Sequence, residues 1–425
     1  LGTVSGNWSK NVGVGHNALY KLQTGEQNVA LGDSAGFNIT TGSKSVGIGA
    51  NALANITTDQ NVVAIGYNAY FAQDTSNDAE GSSGHGSGNI AIGYQSMQSF
   101  NHVNFLRNTA IGFQTMSAGG DADAQDNVAL GYRALQLITT GDSNTAIGSG
   151  ALEANTSGSL NTAIGKGALG TRTDGTKNTA LGTVTLANNG GDENTAVGYA
   201  ALNIATGSNN VAVGANALDS LTTTNNMVAV GYNAGTAVNH GGAEGGTFVG
   251  YESGKAVTSG GHNTALGYQA LKTVSANSHN TAIGSFTLTV ATGSGNVALG
   301  KDAGKIISSG AENTILGYEA DVDVATDSYQ VKIGSYGIIK YKTARVTLNN
   351  YTTPADGDAA HSNSLFNIPS YSYIHKITVK VTTLSATSAA VFNIQKSATL
   401  DTTAGTALSS PVELLGAGVN TTHWK

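Results

Sequence analysis

Six carboxylates crowd into two short stretches of a chain that is otherwise poor in charge: Asp74, Asp78 and Glu80, then Asp121, Asp123 and Asp126. Paired carboxylates are what glycoside hydrolysis requires, one held protonated and the other ionised. Clustered carboxylate oxygens also suit a hard divalent cation. The plainer reading is that acids in glycine- and serine-rich loops are simply solvated. A second set of residues is aromatic: Tyr67, Tyr94, Phe113 and Tyr132 recur at nearly regular spacing, with further rings at 199, 232, 251, 268 and 318. A row of rings can be a platform on which sugars stack, or a set of rungs tying layers of backbone together. No pair among the nine histidines has zinc-ligand spacing, and the chain has no cysteine, which excludes thiolate metal sites and disulfides. The Gly-x-Gly matches open no helix and carry no phosphate-loop meaning. The residues imply no cofactor and no metal, and the chain reads as a non-enzyme.

The elements that position these residues come from one repeated unit. Asn263-Thr-Ala-Leu-Gly-Tyr-Gln-Ala-Leu271 returns as Asn144-Thr-Ala-Ile-Gly148 and as Asn194-Thr-Ala-Val-Gly-Tyr-Ala-Ala-Leu202. A glycine marks nineteen copies, from Gly15 through Gly148, Gly165, Gly267 and Gly284 to Gly334; of the eighteen intervals eleven are 17 residues, three are 16, three are 19 and one is 27. Helical repeats need about 30 residues and propeller blades about 40. Seventeen leaves room for one coil of a parallel β-solenoid, or β-roll.

The residue types agree. Three positions before the glycine stands Val, Ile or Thr, and directly before it Ile, Leu or Val. Between them lies Ala or Gly, except at Phe248, Ile315 and Lys332. Such a strand has a bulky face and a small face. The marker glycine is expected at a corner, where the backbone needs φ > 0 or approaches the next coil closely. A second short strand is expected after it, carrying Ala, Ser or Thr three residues on. Asn opens fourteen copies and should stack in a column. The 27-residue interval and the two 19-residue intervals after it hold the six acids. Insertions that leave one corner of successive coils should form one protrusion beside the Tyr67–Tyr132 row.

All three prolines, Pro354, Pro369 and Pro411, lie beyond the last marker. The chain therefore reads as a solenoid array over 1–334 and a second module over 335–425. Alternating runs at 338–348, 373–384, 389–394 and 411–415 suggest an antiparallel β-sandwich or jelly roll, not necessarily complete. The fold class is all-β throughout. A formal net charge of −7 argues against a nucleic-acid partner. No run of 18 apolar residues is present, so no helical membrane insertion is expected. Leu1 stands close to a repeat without a signal-peptide pattern, as in a processed or truncated product. In a coil this small one strand face must point outward, and on the marked strand both faces are apolar. The result is a stripe too long for a soluble monomer, which calls for closed self-association.

The motif resembles the YadA-like head repeat of trimeric autotransporter adhesins, with Asn61-Val-Val-Ala-Ile-Gly66 the nearest match to its Asn-Ser-Val-Ala-Ile-Gly signature. The likeness spans about three quarters of the chain. It implies a left-handed β-roll assembled as a homotrimer. Heptads and a β-strand anchor, which such adhesins also carry, are not found. The Asn-Thr-Ala-Ile-Gly-Tyr-x-Ala-Leu spelling also looks like arrays in tail fibres and other virion proteins of tailed phages. That resemblance implies a virion fibre that joins other tail proteins and meets a glycan or protein receptor on the host surface. The alternatives are an adhesin head on a bacterial surface and a polysaccharide-degrading tailspike.

Overall fold

The computed structural model describes residues 10–71, 88–99, 105–118, 123–188, 191–239 and 241–335, with the backbone of two short strands further on. The chain divides into two units, Leu1–Thr343 and Ala344–Lys425. In the first, nineteen three-residue strands run from β1 (Val12–Val14) to β19 (Val331–Ile333), one before each marker glycine. Each pairs in parallel with the next, the repeat positions in register: Thr145 opposite Thr162, Ala146 opposite Ala163, Ile147 opposite Ile164. The one helical element among the described residues is a 3-10 turn at Gly241–Ala243. The unit is thus an all-β parallel solenoid with one coil per glycine.

The small face of the strand points inward. Ala146, Ala163 and Ala180 are fully buried, while the flanking Thr and Ile or Leu positions face out. The marker glycine has φ between +125° and +144° from Gly15 to Gly317, a region that only glycine populates readily. A Cβ on Gly148 would sit 2.6 Å from the Gly165 carbonyl oxygen, and one on Gly165 2.3 Å from that of Gly182. Gly267 and Gly284 approach the oxygens of Gly284 and Gly300 to 2.4 and 2.5 Å in the same sense. Both a positive φ and close packing of successive coils therefore require glycine here.

The segment after the corner is not the second strand that the alternation suggests. It is a run of turns in which the second and fourth residues after the glycine take the left-handed conformation, as at Arg133 (φ 54°) and Leu135 (φ 49°). The coils still bond to each other there: the Gly150 amide donates to Tyr132 O at 2.9 Å, and the Leu152 amide to Ala168 O at 3.0 Å. Ala151 and Leu152 both turn inward, so this side gives the core its bulk. Strand alternation would have sent one of them outward.

A column of buried asparagines closes the section. Asn144 donates its amide to Asn127 Oδ1 at 2.8 Å, and its Oδ1 accepts the Asn161 amide at 3.0 Å. Its Nδ2 donates to Gly158 O at 2.8 Å, satisfying the closing turn. The array thus carries a polar spine inside an apolar core, paired from rung to rung from Asn89 to Asn210 and from Asn263 to Asn313 and interrupted at Val62, Met227 and Gly246. In the second unit, Asn393–Ile394 and Val412–Glu413 pair antiparallel, inside two of the expected runs. The remainder of the expected sandwich lies outside the described residues.

Candidate functional site

The corner that places each marker glycine also fixes the residue after it on the surface. Tyr67, Tyr94, Phe113 and Tyr132 accordingly stack as one strip, with ring centroids 5.4, 5.0 and 5.5 Å apart and planes within 18° of parallel. The coil rise sets this spacing, at about 4.8 Å. It exceeds van der Waals contact, so the rings slip past one another like shingles. Each ring covers part of its neighbour's face and stays 43–47% exposed. The strip therefore acts as rungs between coils and still shows ring edges and partial faces to solvent.

A hydrogen-bonding column runs alongside it. Gln114 Nε2 donates to Gln95 Oε1 at 2.9 Å, and Arg133 Nε donates to Gln114 Oε1 at 3.3 Å. The Arg133 guanidinium lies 5.0 Å from the Tyr132 ring centroid. This column escaped the sequence reading because Gln95, Gln114 and Arg133 share only their offset from the glycine. Aligning the copies on the glycine and reading down that column would have found it.

The acids are not brought together as a catalytic pair. Asp126 sits exposed in the left-handed conformation, held bidentately by Arg107 at 2.6 and 2.8 Å. That guanidinium holds its carboxyl below the usual carboxylate range, so Asp126 stays an ionised partner of Arg107. Arg107 also reaches Gln125 Oε1 at 2.9 Å. Asp123 is half-buried, its amide donating to Thr139 O at 2.7 Å. Asp74, Asp78, Glu80 and Asp121 lie outside the described residues. Among the described residues no group of three metal-ligating side chains occurs, and no helix is long and apolar enough to cross a membrane.

A second strip was visible in the sequence only as scattered tyrosines. Tyr232, Tyr251 and Tyr268 stack at 5.5 and 5.1 Å, within 17° of parallel, and Phe286 meets Tyr268 edge-on at 5.2 Å. Its flank is charged. Glu252, largely buried, bonds Lys255 Nζ at 2.6 Å, Lys272 Nζ at 2.9 Å and Gln269 Nε2 at 2.8 Å. The hydrogen bonds from Lys255 and then Lys272 hold its carboxyl down to about 2.

A further surface feature is apolar. The position directly before the glycine is aliphatic in all nineteen coils and faces outward, with Val14, Leu31, Leu130, Leu181, Leu266 and Leu299 each 44–54% exposed. These residues form one unbroken column along the stack. No protein-family model matches the chain, and no curated protein matches it.

Proposed function

We propose that the chain is a structural fibre protein, a homotrimer that carries attachment to a host cell surface in the virion of a tailed phage. The observation that carries this reading is the outward aliphatic column. Nineteen coils at about 4.8 Å extend it over roughly 90 Å, far beyond the apolar patch a soluble monomer tolerates. Identical columns packed around a common axis bury it, and closed rotational symmetry lets every copy contribute equally. A stack in which each coil bonds only its neighbours is a stiff spacer.

The receptor surface on this reading is the region from Tyr67 to Tyr132, where shingled rings lie beside the Gln95–Gln114–Arg133 column. Partly bare rings next to fixed amides match sugars, which present C–H faces and hydroxyls together. The test deletes residues 74–83, a stretch that includes Asp74, Asp78 and Glu80, which returns the 27-residue interval to the common 17. The variant should stay trimeric and lose attachment to host cells. Undiminished attachment would move the receptor site to the second unit.

A further inference from the structure

The second aromatic strip differs from the first in its charge. Two lysines, Lys255 and Lys272, converge on one acid, Glu252, leaving a local excess of one positive charge. Fifty residues on, Lys301 and Lys305 converge on Asp302 at 2.9 and 3.1 Å, and Lys301 lies 5.2 Å from the Tyr318 ring centroid. There Glu319, bonded to Tyr318 and within electrostatic reach of Lys301, offsets the second lysine, so of the two clusters the one at Glu252 keeps the excess. Local positive excess stands out in a chain whose formal net charge is −7. The Lys255 ammonium lies within electrostatic reach of the Tyr251 and Tyr232 hydroxyls, so rings and cations share one surface. Each lysine has donors to spare, since an ammonium carries three and Glu252 occupies one. The rings are 42–47% exposed, and Lys255 and Lys272 keep 38% and 31% of their side-chain surface.

We infer that the strip Tyr232–Tyr251–Tyr268, with Lys255 and Lys272, is a binding site for an anionic polysaccharide lying along the stack. The rungs advance by about one sugar residue of an extended glycan chain, so successive sugars meet successive tyrosines. Their C–H groups rest on the bare part of each shingled ring. Ring carboxylates, sulfates or phosphates of the glycan take the free ammonium donors of Lys255 and Lys272. A single-stranded nucleic acid, the other polyanion with flat units, fits less well. Bases need whole aromatic faces to stack on, and here the rings cover part of each other's faces. One excess charge is also thin against a phosphate on every nucleotide. The site is separate from the Tyr67–Tyr132 region and does not depend on the virion reading.

The test is calorimetric titration of the whole chain with three probes of similar length: an oligogalacturonate, a neutral cello-oligosaccharide and an oligothymidylate. The oligogalacturonate should bind, and raising the salt to about 0.5 M should weaken it about tenfold as the charges are screened. The cello-oligosaccharide should bind at least about tenfold more weakly, the worth of one charge-assisted contact. In the variant E252Q/K255Q/K272Q, which keeps amide pairing and removes the excess charge, oligogalacturonate binding should fall to the neutral level. Y251A/Y268A should weaken both sugars, and Y199A, at an exposed ring outside both strips, should weaken neither. Circular dichroism checks each variant's fold. If the triple variant does not fold, the salt series on the parent and the tyrosine variant decide. Equal affinity for the neutral sugar, indifference to salt, tighter binding of the oligothymidylate, or no binding of any probe would each overturn the assignment. None of these results bears on trimer formation or host attachment, so the two readings fail separately.

Discussion

At the scale of single residues the array depends on glycines that nothing else can replace. In Gly148→Val the new Cβ would lie 2.6 Å from the Gly165 oxygen at φ +133°, and in Gly267→Val 2.4 Å from the Gly284 oxygen at φ +140°. Each substitution should cost roughly 2 kcal/mol or more from backbone strain alone. Thermal unfolding should show both midpoints well below that of the parent. Glu252 gives a pH signature. Its carboxyl is lowered from 4.5 to about 2, so its stabilising effect is complete above the unfolded value and fades as pH falls through the folded one. The advantage of the parent over Glu252→Gln should therefore hold near neutral pH and disappear between about pH 4.5 and about pH 2. Urea titrations of both proteins across that range read the difference directly. An advantage that persists at the acid end would mean that Lys255 and Lys272 do not hold the charged form.

At the scale of one coil, volume is conserved between positions far apart in sequence. Phe248 stands where sixteen coils have Ala or Gly, and its ring is fully buried. Room for it comes from Gly235 and Gly254, which occupy the site held by Leu135, Leu152 or Leu169 elsewhere; a Cβ at Gly254 would meet the ring at 2.3 Å. Phe248→Ala should cost about 3–5 kcal/mol through the cavity it leaves. Gly254→Leu should also destabilise, and the double variant should recover much of the loss. Leu already adopts the needed conformation at Leu152, with φ 50°. Urea titration of the three proteins checks this, and additive losses would refute the exchange of volume. The coil count and the corner glycines were legible because strand alternation and φ > 0 leave marks on residue type. The run of turns after the corner was not. Alanine and leucine at adjacent positions mimic the edge of a strand, and left-handed leucine has no sequence signal. Of the candidate site, the Tyr67–Tyr132 row could be read from spacing. Arg107 on Asp126 could not, because its partner stands nineteen residues on in the adjacent coil and pairs only once the coils stack.

At the scale of the whole molecule, the inward and outward faces of one strand have separate jobs, and substitutions can tell them apart. Ala146, Ala163 and Ala180 are fully buried, so changing all three to Asp places three unpaired charges in the core and should prevent folding. Ile147, Ile164 and Leu181 lie one residue on and face outward; changing these to Glu should leave the β-rich circular dichroism intact and break up the assembly. The second change matters only if the aliphatic column is buried between copies. The most direct measurement is therefore the mass of the unmodified protein in solution by sedimentation equilibrium at micromolar concentration. The account predicts three times the 42.8 kDa chain, with no smaller species short of unfolding. A stable, monodisperse monomer would contradict it, because the column would then be exposed to water along its whole length.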